Sequence, residues 1–215
     1  MISVNIISGI IIIGAILAIA LRVLAFSGLP LKKTSVLDPL LAKKIQQQSF
    51  TATNRETFAV FGISLLFRIA VFIISIFAIF LLADKEFTFS NLLDTYMQWD
   101  AKNYFRIATG GYSFYVENGE FPTLAFFPLY PWIIKAMNIF VQDMTLSGLI
   151  VSFLAYSGAC SYMYKLMSLD YNKQTAIRAI VFMSVYPHAL FFGTMMNESM
   201  LLFTSMATLY YIRRH

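Results

Sequence analysis

The chain has 215 residues, 59% of them hydrophobic and only 13% charged, with a net charge of +5. A soluble domain carries about 45–50% apolar and about 25% charged residues, so this composition excludes an ordinary soluble domain and points to an integral membrane protein. The excess of positive charge then belongs to Lys- and Arg-rich cytoplasmic loops and implies no nucleic-acid partner.

Residues 4–26 are almost wholly apolar and include Ile10-Ile11-Ile12-Ile13. As a helix they cover the roughly 30 Å of a bilayer's hydrocarbon. A signal peptide would need an early positive charge and a shorter core, and no Lys or Arg precedes Arg22. An anchor helix is expected. Residues 27–57 are polar, and Lys32, Lys33, Lys43, Lys44 and Arg55 outnumber Asp38 and Glu56. That balance predicts a cytoplasmic loop. Residues 1–57 thus form an extra anchor and basic loop ahead of a membrane domain at 58–215.

A second span is predicted over 58–83, with Arg68 well inside it. A cation at that depth faces protein, water or a partner. Two readings stand: a side chain snorkelling to the cytoplasmic interface about ten residues away, or a contact to a lipid phosphate.

From Asp84 to Glu120 the acids are Asp84, Glu86, Asp94, Asp100, Glu117 and Glu120, against Lys85, Lys102 and Arg106. This stretch lacks the basic excess of a cytoplasmic loop. Trp99, Tyr104, Phe105, Ile107 and Ala108 predict a short amphipathic helix stopped by Gly110-Gly111. Residues 125–141 are apolar but hold Pro128, Pro131 and Lys135.

Residues 146–164 read as a span. The connector after it holds Lys165, Lys173 and Arg178 against Asp170, which puts it in the cytoplasm only if 125–141 lies along the outer interface without crossing. Residues 177–212 would make one helix of about 54 Å, too long for a single crossing. A hairpin is expected: up through about 177–192, a turn near 194–198, and down through about 199–212 to Arg213-Arg214. The fold class is therefore all-α, a polytopic membrane bundle of about five spans with interfacial helices in the first outer loop. Cys160, the lone cysteine, lies in an apolar run and reads as packing. No GxxxxGK or GxGxxG loop and no Cys/His metal spacing occurs; no cofactor and no metal-ligating residues are expected.

Two acids fall on the same outer face, Asp100 and Glu198. Acidic groups at a membrane edge are candidates for function. Asp100 beside Trp99 would lie against an aromatic, partly dry surface that tunes a carboxylate as a base. The competing reading for each acid is a helix cap.

Trp99-Asp100, Tyr104-Phe105-Arg106-Ile107-Ala108, Gly111-Tyr112 and Ala125-Phe126-Phe127-Pro128-Leu129-Tyr130-Pro131 follow one another in that order. Tyr186-Pro187-His188-Ala189-Leu190-Phe191-Phe192 and Asn197-Glu198-Ser199 come later. Together they resemble the PIG-V family, the GPI mannosyltransferase 2 enzymes and their bacterial relatives, over about 60–215. Tyr186 stands where that family commonly has Phe, and Met196-Asn197 where it tends to have Tyr-Ser.

The resemblance implies a GT-C fold with its site on the extracytoplasmic side. It implies a polyprenyl- or dolichyl-phosphate sugar donor, mannose foremost, and Asp100 as the base that deprotonates the acceptor. Lys102, Arg106 or Arg68 would stabilise the departing phosphate. Trp99, Tyr112, Phe127, Pro128, Tyr130, Asn197 and Glu198 would line the substrate site, with Tyr112, Tyr130 and Trp132 stacking on sugar faces or forming an aromatic belt. Members of that family continue with further spans, so the resemblance also implies a missing C-terminal half or a partner subunit. The expected location is a membrane, a bacterial plasma membrane ahead of the endoplasmic reticulum. The competing classes are a non-catalytic remnant acting as a lipid-binding or assembly subunit, and a small transporter. A transporter would need polar residues through the membrane's middle, and Arg68 stands almost alone there.

Overall fold

A computed structural model describes residues 49–82, 88, 93, 95–113 and 122–214. The expected anchor at 4–26, most of the basic loop, and Asp84, Lys85, Glu86, Asp94, Glu117 and Glu120 lie outside the described residues. Among the described residues the secondary structure is helical, with no strand.

Helix α1 runs Asn54–Leu82. It begins four residues before the expected 58 because of a reciprocal cap. Thr53 N–H donates to Glu56 Oε2 at 3.1 Å, and Glu56 N–H donates to Thr53 Oγ1 at 3.2 Å. Each bond satisfies an amide that the helix itself leaves free. Phe58, Ile63, Leu66, Ile74 and Phe77 point outward and are exposed, as lipid-facing side chains would be.

Helix α2, Ala101–Gly110, is amphipathic, with Ala101, Tyr104, Ile107 and Ala108 buried. Gly111 stops it at φ +83°, and its N–H bonds Ile107 O at 2.9 Å. Side chains rarely adopt that φ, which is why the Gly110-Gly111 signal ends the helix. A 3-10 turn at Pro122–Ala125 leads to α3, Leu129–Val141. Its 13 residues reach about 20 Å, short of the hydrocarbon thickness. Tyr130, Pro131 and Ile134 are buried, while Trp132, Ile139 and Phe140 are exposed.

Helix α4, Met144–Ser168, is the bundle's centre and packs against the five other α-helices among the described residues. Asp143 caps it, accepting from Leu146 N–H at 2.7 Å. Gly148, Ser152, Ala155, Gly158 and Ala159 give it a small-residue surface, which lets neighbouring helices approach closely. A Cβ on Gly148 would stand 2.4 Å from Met195 Cγ, and one on Gly158 2.7 Å from Phe203 Cε2. Two of its buried hydroxyls are satisfied locally: Ser157 donates to Phe153 O at 2.8 Å and Ser147 to Asp143 O at 2.6 Å. Cys160 is buried among Tyr156, Tyr164, Ala176 and Ile180, as packing requires.

Helix α5 spans Lys173–Val185, a 3-10 segment follows at Pro187–Gly193, and α6 spans Glu198–Arg214. The rising limb of the expected hairpin is therefore not straight to 192. It turns by 82° at Tyr186. Tyr186 is extended, φ −61° and ψ 139°, because a following proline disfavours helical backbone.

Among the described residues two helices are long and apolar enough to cross a membrane, within Asn54–Ala78 and Met144–Ser168, and a third is counted if the bent pair forms one span. The start of α1, the end of α4, the start of α5 and the end of α6 meet at one end of the bundle. Lys173 pairs with Glu56 at 2.6 Å, Arg213 Nη2 reaches Asp170 Oδ1 at 2.8 Å, and Phe50 N–H donates to Ser168 O at 3.0 Å. Lys165 lies at this basic end. The opposite, aromatic end holds α2, α3 and the turn before α6.

Candidate functional site

The aromatic end is assembled by one apolar cluster. Ala101, Tyr104 and Ala108 of α2 pack with Tyr130 and Ile134 of α3, Val151 of α4, and Met195-Met196 before α6. The Tyr104 ring meets Phe126 and Tyr130 edge-on at 5.0 and 5.1 Å. The Tyr130 hydroxyl shares a 2.6 Å bond with Ser152 Oγ and donates to Gly148 O at 3.2 Å.

Asp100 stands at the N-cap position of α2. Its main-chain carbonyl accepts from Asn103 and Tyr104 N–H at 3.0 and 3.1 Å, but its side chain makes no capping bond. The carboxylate is exposed. The capping role is thus carried by backbone alone, and the side chain is left available. Trp99 precedes it at φ +48°, a conformation costly for a bulky L-residue. Its ring lies edge-on to Phe191 at 5.5 Å, which holds the turn against the 3-10 segment.

Glu198 opens α6. It is half-buried, and its Oε2 is buried with no hydrogen-bond partner. Burial pushes its carboxyl above the ordinary carboxylate range, and the nearby Asp100 charge pushes it further. The Tyr104 hydroxyl is raised by burial and then by Glu198 and Asp100. Asp100 therefore acts on Glu198, and both acids act on the Tyr104 hydroxyl.

Arg68 is 2% exposed. It does not snorkel: Nη1 donates to Ala189 O of the 3-10 segment at 2.8 Å, and the guanidinium carbon lies 3.9 Å from the Tyr156 ring centroid. Nε and Nη2 are buried without a partner. A desolvated cation–π contact contributes about 2 kcal/mol, whereas burying an unpaired charge costs several kcal/mol. Stability alone does not account for this arginine. It lines a cavity of about 370 Å³ with Ser75, Tyr96, Gln98, Trp99 and Thr194.

The remaining predicted residues divide. Lys102 is exposed on α2, and Arg106 is half-buried, with Nη1 3.4 Å from Asn103 Oδ1. Tyr112 donates to Phe126 O at 2.6 Å, and Thr123 Oγ1 donates to Tyr112 O at 2.8 Å, so Tyr112 ties the two ends of the loop together. Tyr130 is 2% exposed and offers no face for sugar stacking; it packs α3 onto α4. Phe127 and Trp132 are exposed, Pro128 sits at the start of α3, and Asn197 is half-buried with its carbonyl accepting from Leu201 N–H at 2.8 Å. The structure thus brings together Asp100, Glu198, Trp99 and Arg68, and adds Tyr104, which in the sequence is an amphipathic-helix and motif position with no site role assigned to it. Among the described residues no three His, Cys, Asp or Glu side chains converge to hold a metal.

Compared with protein-family models, curated proteins and solved structures, the chain matches none.

Proposed function

We propose that the chain is a membrane glycosyltransferase, or the site-bearing part of one, that moves a sugar, mannose foremost, from a polyprenyl-phosphate donor to an acceptor hydroxyl. The observation that carries this reading is the Asp100 carboxylate, exposed at a helix start yet free of any capping bond, beside the buried, unpartnered Glu198 oxygen. The acceptor oxygen attacks the anomeric carbon, the bond from that carbon to the phosphate oxygen breaks, and the polyprenyl phosphate leaves with the electron pair. Asp100 takes the acceptor proton, and the anomeric centre inverts. Glu198 orients the acceptor. The five-span topology, the outward-facing site and the PIG-V-like, GT-C-like assignment belong to this proposal, as does a partner subunit. The test is sugar transfer from a polyprenyl-phosphate mannose in membranes carrying the full chain with its genomic neighbours. Asp100→Asn should abolish transfer at unchanged abundance. Near-normal transfer by that variant would remove Asp100 from the mechanism.

A non-catalytic lipid-binding or assembly subunit is the second reading. An apolar groove of about 680 Å³ between α1, α3, α4 and α6, with Lys165 at one end, favours it. A chain that copurifies with lipid but never transfers sugar, alone or assembled, would support this reading over the first.

A further inference from the structure

Among the described residues Arg68 is the only charged side chain lining the 370 Å³ cavity, and no carboxylate faces it from the other lining residues. One guanidinium nitrogen, Nη1, is held by Ala189 O. The other two, Nε and Nη2, form the side-on edge of the fork, and both are without a partner. That edge presents two parallel N–H groups at the spacing of two oxygens on one phosphate. The Tyr156 ring centroid lies 3.9 Å from the guanidinium carbon, with the Phe67 and Phe192 rings at 5.8 and 5.7 Å, and both edge nitrogens are buried. The hydroxyls of Ser75, Tyr96 and Thr194 line the same cavity but are engaged within the fold, Ser75 with Phe72 O and the Tyr96 hydroxyl, and Thr194 with Phe191 O, which leaves the Arg68 edge as the anion-binding group.

We infer that this cavity is an anion site in which the Nε/Nη2 edge of Arg68 takes a phosphate group in a bidentate contact. The cavity's walls place it beside the proposed chemistry. Trp99 precedes Asp100, and Thr194 begins the non-helical turn that leads to Glu198. The inference deepens the proposed function by giving the donor's phosphate to Arg68 and not to Lys102 or Arg106, and it rests on that reading only for what carries the phosphate. Because Nη1 already holds Ala189, an anion on Arg68 is linked to the segment that bends at Pro187.

The test uses the full chain in phosphatidylcholine nanodiscs. Trp99 and Trp132 are its two tryptophans, so a Trp132→Phe background isolates the emission of Trp99, a wall of the cavity. Three probes are titrated: dodecyl phosphate, inorganic phosphate and, as the neutral control, dodecanol. The expected result is a saturable change in Trp99 emission and a rise in Tm with dodecyl phosphate, neither with dodecanol, and binding about 10- to 100-fold weaker in Arg68→Lys and Arg68→Gln. Arg68→Lys keeps the buried charge and removes the fork; should Arg68→Gln not fold, the parent chain and Arg68→Lys decide. Equal affinity for inorganic phosphate would identify a free anion as the ligand, and preference for dodecyl phosphate a lipid headgroup. No saturable response to either phosphate, an equal response to dodecanol, or unweakened binding in folded Arg68→Lys would overturn the inference. None of these readouts involves sugar transfer. Phosphate binding that persists while Asp100→Asn keeps its activity would sink the transferase reading alone; lost binding with a dead Asp100→Asn would sink only the anion site.

Discussion

The two ends of the bundle use their polar groups differently. At the basic end the described acids are matched: Glu56 with Thr53 and Lys173, Asp170 with Arg213. At the aromatic end Asp100 makes no cap, Glu198 keeps a buried oxygen without a partner, and Arg68 keeps two such nitrogens. Trp99 adds a backbone conformation that folding alone would avoid. Buried polar groups are normally satisfied; among the described residues three of the four buried side-chain atoms without a partner lie at the aromatic end, the exception being the Tyr164 hydroxyl at the basic end.

The largest expected effect separates the ends by activity. Asp100→Asn should lower sugar transfer about 100- to 10,000-fold, while Lys173→Gln, which breaks an exposed pair at the other end, should leave transfer and Tm unchanged. Both are read in one assay of rate against abundance. Comparable losses in the two variants would erase the distinction between the ends.

The next effect concerns the packing beneath the acids. Gly148→Val places atoms where Met195 already lies, against the turn that leads to Glu198. Overpacking of this kind costs about 1–3 kcal/mol, so thermal unfolding in detergent should show a lowered Tm. An unchanged Tm would mean that Met195 moves aside freely.

The interior of that turn was the least legible part of the sequence. The stop at Gly110-Gly111 and the identity of α4 as an apolar helix could be read from residue type alone, because backbone freedom and hydrophobic run length are local properties. The capping pair Thr53 and Glu56 was also written in the sequence, but the apolar run that starts at Phe58 drew the boundary inward. Pro187 was visible too, yet the polar cluster at 194–198 appeared to be the turn, and the 82° bend came earlier. The unpaired fork of Arg68 had no local signal. Its one hydrogen bond reaches a carbonyl 121 residues away, and snorkelling was an equally good account until that contact was known. Asp100 and Glu198 could be placed on one face by charge distribution, but the burial that sets Glu198 apart depends on α2 and α3 packing together.

A smaller effect sharpens the comparison through pH. A carboxyl whose folded pKa is raised contributes stability that is fully present below its unfolded value, near 4.5 for Glu198, and is lost as pH rises through the folded value. Gln resembles the protonated form at every pH. Glu198→Gln should therefore unfold at the parent's Tm near pH 4.5 and above it at pH 7.5, while transferring sugar less well. Parallel Tm profiles for the two proteins across that range would show that Glu198 is not held in a dry site.

Two aspartates at helix starts offer the most direct measurement of the central claim, that the aromatic end's acids are not engaged in holding the fold. Asp143 caps α4 through Leu146 N–H at 2.7 Å, and Asp100 occupies the same position on α2 with no such bond. Asp143→Ala and Asp100→Ala are compared by unfolding in one detergent. Removing a working cap costs about 1 kcal/mol, so Asp143→Ala should be destabilised by that amount while Asp100→Ala stays within about 0.5 kcal/mol of the parent, the range of surface substitutions. Equal destabilisation of the two variants would make Asp100 a structural cap and contradict the account.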